Sequence, residues 1–307
     1  MAKHDYSAQN AQFIKNSYSG QSTQQIFTNN QKQMVDPLMS PNGLVFRESR
    51  DSANYPESIA IVIALDETGS MDDIPEYLVR EKLPLLAELL QKHGVKDAAI
   101  MFLAVGDHYS DSYPIQVGQF ESDEVGLNKW LTLAYLEANG GGNRGESYSL
   151  GWYVAARKTS IDCFEKRGVK GFYFSIGDEH CHPVLEADAL KKLFGAGEYK
   201  DESSLKLLEE AQSKYEVFHI HCQHGQYDDS VYQGWKKNLA ERAINLTDKG
   251  LVAEVIASTI AVTMGANLKD ITDGFDKQTA LVVQGALANI TGGSNIKKQD
   301  AGGIVAL

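Results

Sequence analysis

A chain of 307 residues is long enough to bury a full core, and 43% hydrophobic with 23% charged residues is the balance of an ordinary soluble globular protein. Its 29 Lys and Arg against 41 Asp and Glu leave a formal net charge of −12, which repels phosphate backbones and argues against nucleic-acid binding. Three cysteines (Cys163, Cys181, Cys222) are too few and too scattered for a disulfide framework. With no apolar leader at the N-terminus and no uninterrupted apolar run of membrane-spanning length, a cytoplasmic protein with no membrane partner is expected.

Residues 1–40 are rich in Gln, Asn and Ser and show little periodicity, so they read as an arm, either disordered or ordering only on a partner. A short edge strand is expected at 43–48. At 59–65 the pattern changes to Ile-Ala-Ile-Val-Ile-Ala-Leu, a continuous apolar run typical of a parallel strand buried on both faces. A helix should follow, capped by Asp72 or Asp73 and running to about His93, with a kink at Pro84. Further strands are expected at 98–105, 114–120, 171–177, 215–221 and 243–246. Helices are expected at 123–136, 147–167 (whole or broken), 251–264 and 278–287.

This alternation predicts an α/β fold with a doubly wound, mostly parallel sheet flanked by helices. The expected division is the arm at 1–40, one domain over 41–265, and a helical, Gly-rich C-terminal extension over 266–307. In such sheets ligands gather beyond the carboxyl ends of the strands, where strand order reverses. The loops after Leu65, Val105, Gly177 and Ile220 are therefore where function is sought.

The first of these reads Asp66-Glu67-Thr68-Gly69-Ser70-Met71. An acid followed two and four residues later by hydroxyls, at a strand end, gathers oxygen donors of the kind that suit a hard cation such as Mg²⁺. The pattern resembles the metal-ion-dependent adhesion site of the von Willebrand factor A family, which reads Asp-x-Ser/Thr-x-Ser, over roughly residues 58–265. The resemblance implies a Rossmann-like domain holding Mg²⁺, Mn²⁺ or Ca²⁺ through Asp66, Thr68 and Ser70, with a second carboxylate from Asp178 after the fourth strand. It also implies a ligand from the loop that here reads Gly140-Gly141-Gly142-Asn143-Arg144-Gly145-Glu146-Ser147. Most members place a Thr there; this chain has Glu146 and Ser147, as in a bacterial-type branch, although Asn143 and Gly145 depart from that branch's pattern. A Glu in the metal shell partly neutralises the ion and weakens its pull on an acidic partner.

His180, Cys181, His182, His221, Cys222 and His224 lie after two strands expected to be neighbours. Imidazole and thiolate can bind Zn²⁺, but no spacing matches a standard zinc motif; packing and hydrogen bonding are the expected roles, and a second Zn²⁺ site the alternative. His219 and the three tryptophans are expected in the core. There is no nucleophile elbow or Walker loop. The function these residues imply is a non-enzymatic, metal-dependent protein-binding module working with an AAA-type ATPase or a larger assembly. The alternatives are a structural subunit that self-assembles as a homo-oligomer around a fold-stabilising ion, and a metal-dependent hydrolase using the His-rich loops.

Overall fold

The computed structural model describes residues 8–67, 76–137, 145–222 and 228–290. Its strands are β1 (Arg47–Ser49), β2 (Ile59–Asp66), β3 (Ala98–Val105), β4 (Ile115–Val117), β5 (Thr159–Ile161), β6 (Gly171–Gly177), β7 (Val184–Leu185), β8 (Glu202–Ser203), β9 (Tyr215–Cys222) and β10 (Ala243–Leu246). Six of them form the central sheet, in the order β10-β9-β6-β2-β3-β4. Only β4 runs antiparallel in it. The chain enters at β2, winds outward through β3 to β4, and then returns to β6 and winds the other way. This is the doubly wound α/β fold, and its order reverses between β2 and β6.

The sheet is central because β2, β3, β6 and β9 are buried almost from end to end, with apolar side chains dominating β2, β3 and β6. Side chains alternate between its faces. On β2, Ile61, Ile63 and Leu65 pack into one layer with Leu86, Leu90 and Val255. Ala60, Val62 and Ala64 face the other layer, with Tyr148, Trp152 and Leu207. Trp130, Trp152 and Trp235 are all buried, and His219 is fully so.

Local patterns misplace some elements. The short strand expected at 43–48 is β1, which pairs with β5 in a separate two-stranded sheet and not with the main one. That pairing also breaks the helix expected at 147–167. Tyr148–Arg157 is helical, the β-branched Thr159 and Ile161 pair with β1, and helix resumes only for Asp162–Glu165. The buried Asp162 carboxylate accepts from Arg50 at 2.8 Å and from the Asp51 amide at 2.9 Å, and it pairs with Lys166 at 2.6 Å. Pro84 is the second residue of the Leu83–Lys92 helix, and the irregularity precedes it as a π-helical turn over Leu78–Lys82. Residues 183–214, unassigned from sequence, form the β7–β8 pair and the helices Ala187–Phe194 and Ser204–Lys214.

The Gln/Asn-rich arm is a docked element. It forms the helices Ala8–Ser17, Thr23–Ile26 and Asn29–Lys32 and a 3-10 turn at Pro37–Met39. Its few apolar residues are spaced so that each finds the core: Ile26 and Phe27 join Leu65, Leu78 and Leu131, while Val35 and Met39 pack with Ala104 and Trp130. Burying Phe27 completely contributes roughly 2–3 kcal/mol, enough to offset the ordering of a residue or two. In the extension, Val283 and Leu287 of the Lys277–Leu287 helix reach the same layer. The tail beyond residue 290 lies outside the described residues. No helix among the described residues is long and apolar enough to cross a membrane.

Candidate metal centre

Where strand order reverses, β2 and β6 run side by side with Leu65 opposite Ile176. Asp66 therefore ends β2 beside Gly177, and Asp178 follows directly after β6. Both acids are buried. The Asp66 carboxylate accepts a hydrogen bond from the Tyr148 hydroxyl at 2.6 Å. Tyr148 opens the Tyr148–Arg157 helix and its ring meets His219 and Trp235 edge-on, at centroid distances of 5.4 and 5.2 Å. Sequence reasoning missed this tyrosine. Nothing local distinguishes it from any other aromatic in a buried helix.

Glu146 is carried to the same edge by backbone pairing. Its amide donates to the His180 carbonyl at 2.7 Å, and its own carbonyl accepts from the His182 amide at 3.1 Å. The loop before the helix is thus stitched to the loop after β6. The Glu146 side chain is 4% exposed, and its Oε2 has no hydrogen-bond partner among the described residues. Burial, followed by repulsion from Asp66, Asp107, Asp111 and Glu179, pushes its carboxyl up to about 10. Burial likewise raises the Tyr148 hydroxyl well above its ordinary value, with Asp66, Glu146 and Asp178 adding to the shift. Asp66, Glu146 and Asp178 therefore share one electrostatic neighbourhood around Tyr148. Thr68, Ser70 and His224 lie outside the described residues.

The loop after β3 supplies acids that the motif search passed over. Asp107 is fully buried and accepts from His182 Nε2 at 2.9 Å. Asp111 Oδ2 accepts from the Asp107 amide at 2.6 Å. Gly106-Asp107 repeats at β3 the strand-end Gly-Asp seen at Gly177-Asp178, a signal that was available in the sequence. Glu67, next to the first candidate ligand, turns the other way. One oxygen accepts from Gln116 Nε2 at 2.7 Å and the other is buried with no partner among the described residues. Burial, then Asp111, Glu137 and Asp66, hold this carboxyl well above its usual range.

Ser147 hydrogen-bonds His108 Nδ1 at 2.5 Å, and His108 Nε2 meets Glu186 at 2.6 Å. The order hydroxyl, imidazole, carboxylate has the polarity of a hydrolytic relay. However, Ser147 is fully buried, and its oxygen also accepts from the His108 amide at 2.9 Å. As arranged, the relay braces the loop after β3 and does not present a nucleophile. The other histidines find separate partners. His182 is bound to Asp107, His180 lies against Gly234, and His221 is buried against Tyr232, 5.8 Å between ring centroids. Among the described residues no three His, Cys, Asp or Glu side chains are grouped closely enough to hold a metal by themselves.

Gly177 is a packing requirement. A Cβ there would collide with the Tyr148 hydroxyl and lie 2.8 Å from Asp66 Oδ2. Because the Tyr148 ring is wedged against His219 and Trp235, it cannot retreat. Gly177→Ala is expected to cost about 1–3 kcal/mol in thermal or denaturant unfolding and to break the Tyr148–Asp66 hydrogen bond. Wild-type stability in that variant would show that the edge is looser than the packing implies.

No family model and no curated protein matches the chain. Solved structures similar to it include the pilus adhesin SpaC from Lactobacillus rhamnosus GG in its open conformation. That likeness has 12% identity and a TM-score of 0.45, over 74% of this chain and 31% of that one. Another is an aerotolerance-related membrane protein from Bacteroides fragilis NCTC 9343, at 15% identity and a TM-score of 0.39, over 64% and 96% of the two chains. A third is a von Willebrand factor type A protein from Catenulispora acidiphila, at 16% identity and a TM-score of 0.35, over 69% and 44%. The chain spans about a third of the length of the adhesin. All these scores are low, so the fold rests on the strand order above and the site on its own residues.

Proposed function

We propose that the chain is a metal-dependent protein-binding module of the von Willebrand factor A type, with a divalent cation at the carboxyl edge of the sheet. Asp66, Thr68, Ser70, Glu146 and Asp178 would hold the ion, with Ser147 beside it. The observation that carries this reading is Glu146: a carboxyl group buried among other acids, with one oxygen that has no hydrogen-bond partner among the described residues, is a setting that a bound cation would relieve. When bound, the ion supplies positive charge that can accept an oxygen donor from a partner. The chain's own part is to orient. Tyr148 fixes the Asp66 carboxylate, and the Glu146–His180 backbone pairing places the second acid. With Asp66 and Glu146 both charged, a divalent ion is largely neutralised, so capture of an acidic partner would be weak. Recognition would then fall to the rim, where Tyr109 is 57% exposed and hydrogen-bonded to Glu186. Mg²⁺ or Mn²⁺ suits these oxygen donors, and an AAA-type ATPase or a larger assembly is the kind of partner envisaged.

Calorimetric titration of metal-stripped full chain with Mg²⁺ and Mn²⁺ tests this. Asp66→Asn keeps an acceptor for Tyr148 but removes the charge, and should abolish binding with the fold intact by circular dichroism. Titration curves unchanged by the substitution would overturn the assignment.

A further inference from the structure

The loop after β3 raises an aromatic ring at the carboxyl edge of the sheet and fixes it there. Asp107 shapes the turn: its carboxylate accepts from the Tyr109 amide at 3.1 Å, and its carbonyl accepts from the Asp111 amide at 2.7 Å. The Tyr109 ring lies 4.0 Å from that of His108, tilted by 35°, and meets His182 edge-on at 4.8 Å. Its hydroxyl donates to Glu186. Held in this way, Tyr109 is still more than half exposed. A side chain immobilised beforehand loses little freedom on binding.

The surface beside the ring is acidic and apolar. Glu186 follows directly after β7, and its carboxylate accepts from Tyr109 on one oxygen and from His108 Nε2, at 2.6 Å, on the other. Each carboxylate oxygen has two lone pairs, so both can accept again. Against partial burial, which acts to raise it, the bonds from Tyr109 and His108 hold the Glu186 carboxyl below its ordinary value, and it stays charged. The exposed Val184 shares a strand face with Glu186. The β7–β8 register sets Asp201 across from Glu186, where it accepts from the Ala187 amide at 2.9 Å. Lys200 and Lys206, which flank β8, join Arg157 in lowering the Glu210 carboxyl.

We infer that Tyr109 and Glu186 form a docking pair for an arginine side chain of a protein partner, the ring taking the face of the guanidinium and the carboxylate its N–H groups. The inference rests on the reading of this edge as the binding face, but the pair itself needs no ion. A planar guanidinium suits both parts at once, because it stacks on an aromatic face and donates to a carboxylate. Val184 offers apolar surface to its methylene stem. A lysine ammonium, a strongly hydrated point charge, suits the ring less well. An acidic segment would be repelled by Glu186, by Asp201 and by the net charge of −12.

The test uses the full chain stripped of metal, with the fold of each variant checked by circular dichroism. The probe is a fluorescein-labelled peptide, Ala-Arg-Ala-Arg-Ala, whose binding is read by anisotropy. It is compared with the same peptide carrying citrulline, lysine or glutamate in place of arginine. Citrulline keeps the planar shape and loses the charge. Tyr109→Leu and Glu186→Gln should each weaken the arginine peptide by about two- to fivefold, the effect of one exposed cation–π contact or surface charge pair. Wild-type chain should prefer arginine to citrulline by at least that factor, and to lysine and glutamate as well. Glu57→Gln removes one negative charge at an exposed position just before β2, at the opposite end of the sheet, and should leave the affinity unchanged. Asp66→Asn should bind the arginine peptide as the wild type does, so failure of the ion site and failure of the arginine pair are told apart. Equal affinity for arginine and citrulline, or an equal loss in Glu57→Gln and Glu186→Gln, would reduce the contact to general attraction by an acidic chain and overturn the pair. Lysine bound as tightly as arginine, or wild-type affinity in Tyr109→Leu, would overturn the role of the ring.

Discussion

Removing one partner of the Lys82–Glu254 ion pair is expected to cost about 3–5 kcal/mol, a large share of the roughly 5–15 kcal/mol that holds a domain folded. Lys82 Nζ lies 2.6 Å from Glu254 Oε1, and the two side chains are 10% and 7% exposed. The pair joins the π-helical turn Leu78–Lys82 to the Val252–Thr263 helix, whose residues are buried throughout. The Tyr77 ring, 5.4 Å from the ammonium, gives the cation some further shelter. Glu254→Ala strands that ammonium with no other carboxylate in salt-bridge reach among the described residues, and the loss should be plain in urea or guanidinium unfolding. The double variant Lys82→Met, Glu254→Met should recover most of the loss, because two apolar side chains of similar size need no solvation. A double variant as unstable as Glu254→Ala would mean that the pair contributes through attraction and not through mutual relief of burial.

Mild acid is expected to destabilise the protein through His219, by about 1.4 kcal/mol for each pH unit below 6.5. The imidazole is fully buried and stacks on Trp235 with 3.6 Å between centroids. Its Nδ1 is 2.9 Å from Ser175 Oγ, and its Nε2 has no hydrogen-bond partner among the described residues. Burial, with a smaller contribution from neighbouring His221, depresses its pKa well below the ordinary 6.5. The unfolded chain therefore takes up a proton at pH 6.5 that the folded chain refuses. Below that pH the unfolded state is favoured, and stability returns as pH rises through 6.5. Other groups shift in the opposite sense: the buried Glu67 and Glu146 carboxyls gain from acid. The measurement is thus the difference in unfolding free energy between wild type and His219→Phe at pH 7.5, 6 and 5. Phe can keep the stack on Trp235 and cannot titrate. Parallel curves for the two proteins would show that His219 reaches solvent or a partner when it protonates.

This stack also bears on the site, because Tyr148 packs on both His219 and Trp235 and holds Asp66. A proton on His219 would be felt at the strand edge through that tyrosine. Of the other histidines here, His182 is bonded to Asp107 and His221 is buried against Tyr232.

Much of the fold was legible in the amino-acid sequence for a local reason. The runs at 59–65 and 98–105 are apolar without interruption and 171–177 is broken only by Ser175, as suits strands buried on both faces of a parallel sheet, while 215–221 carries Glu216, His219 and His221 among its apolar residues. The strand-to-helix alternation then implied a doubly wound sheet, and Asp66 at the end of its first long strand marked the edge to search. What failed were elements whose structure depends on a distant partner. Thr159 and Ile161 leave the helical pattern because β1 lies beside them, and the sparse apolar residues of the arm looked too few for burial until Phe27 met the core.

The sequence by itself determined the fold class and the strand ends from which Asp66 and Asp178 emerge, because hydrophobic period and strand punctuation are properties of neighbours in the chain. Only the tertiary structure decided that Asp107 and Glu146 join them at one edge, that Tyr148 holds Asp66, and that the arm is tied to Arg80 and Leu133. Those placements follow from strand register and loop pairing between segments as far apart as Tyr18 and Arg80, or Asp66 and Tyr148. No local pattern carries such distances.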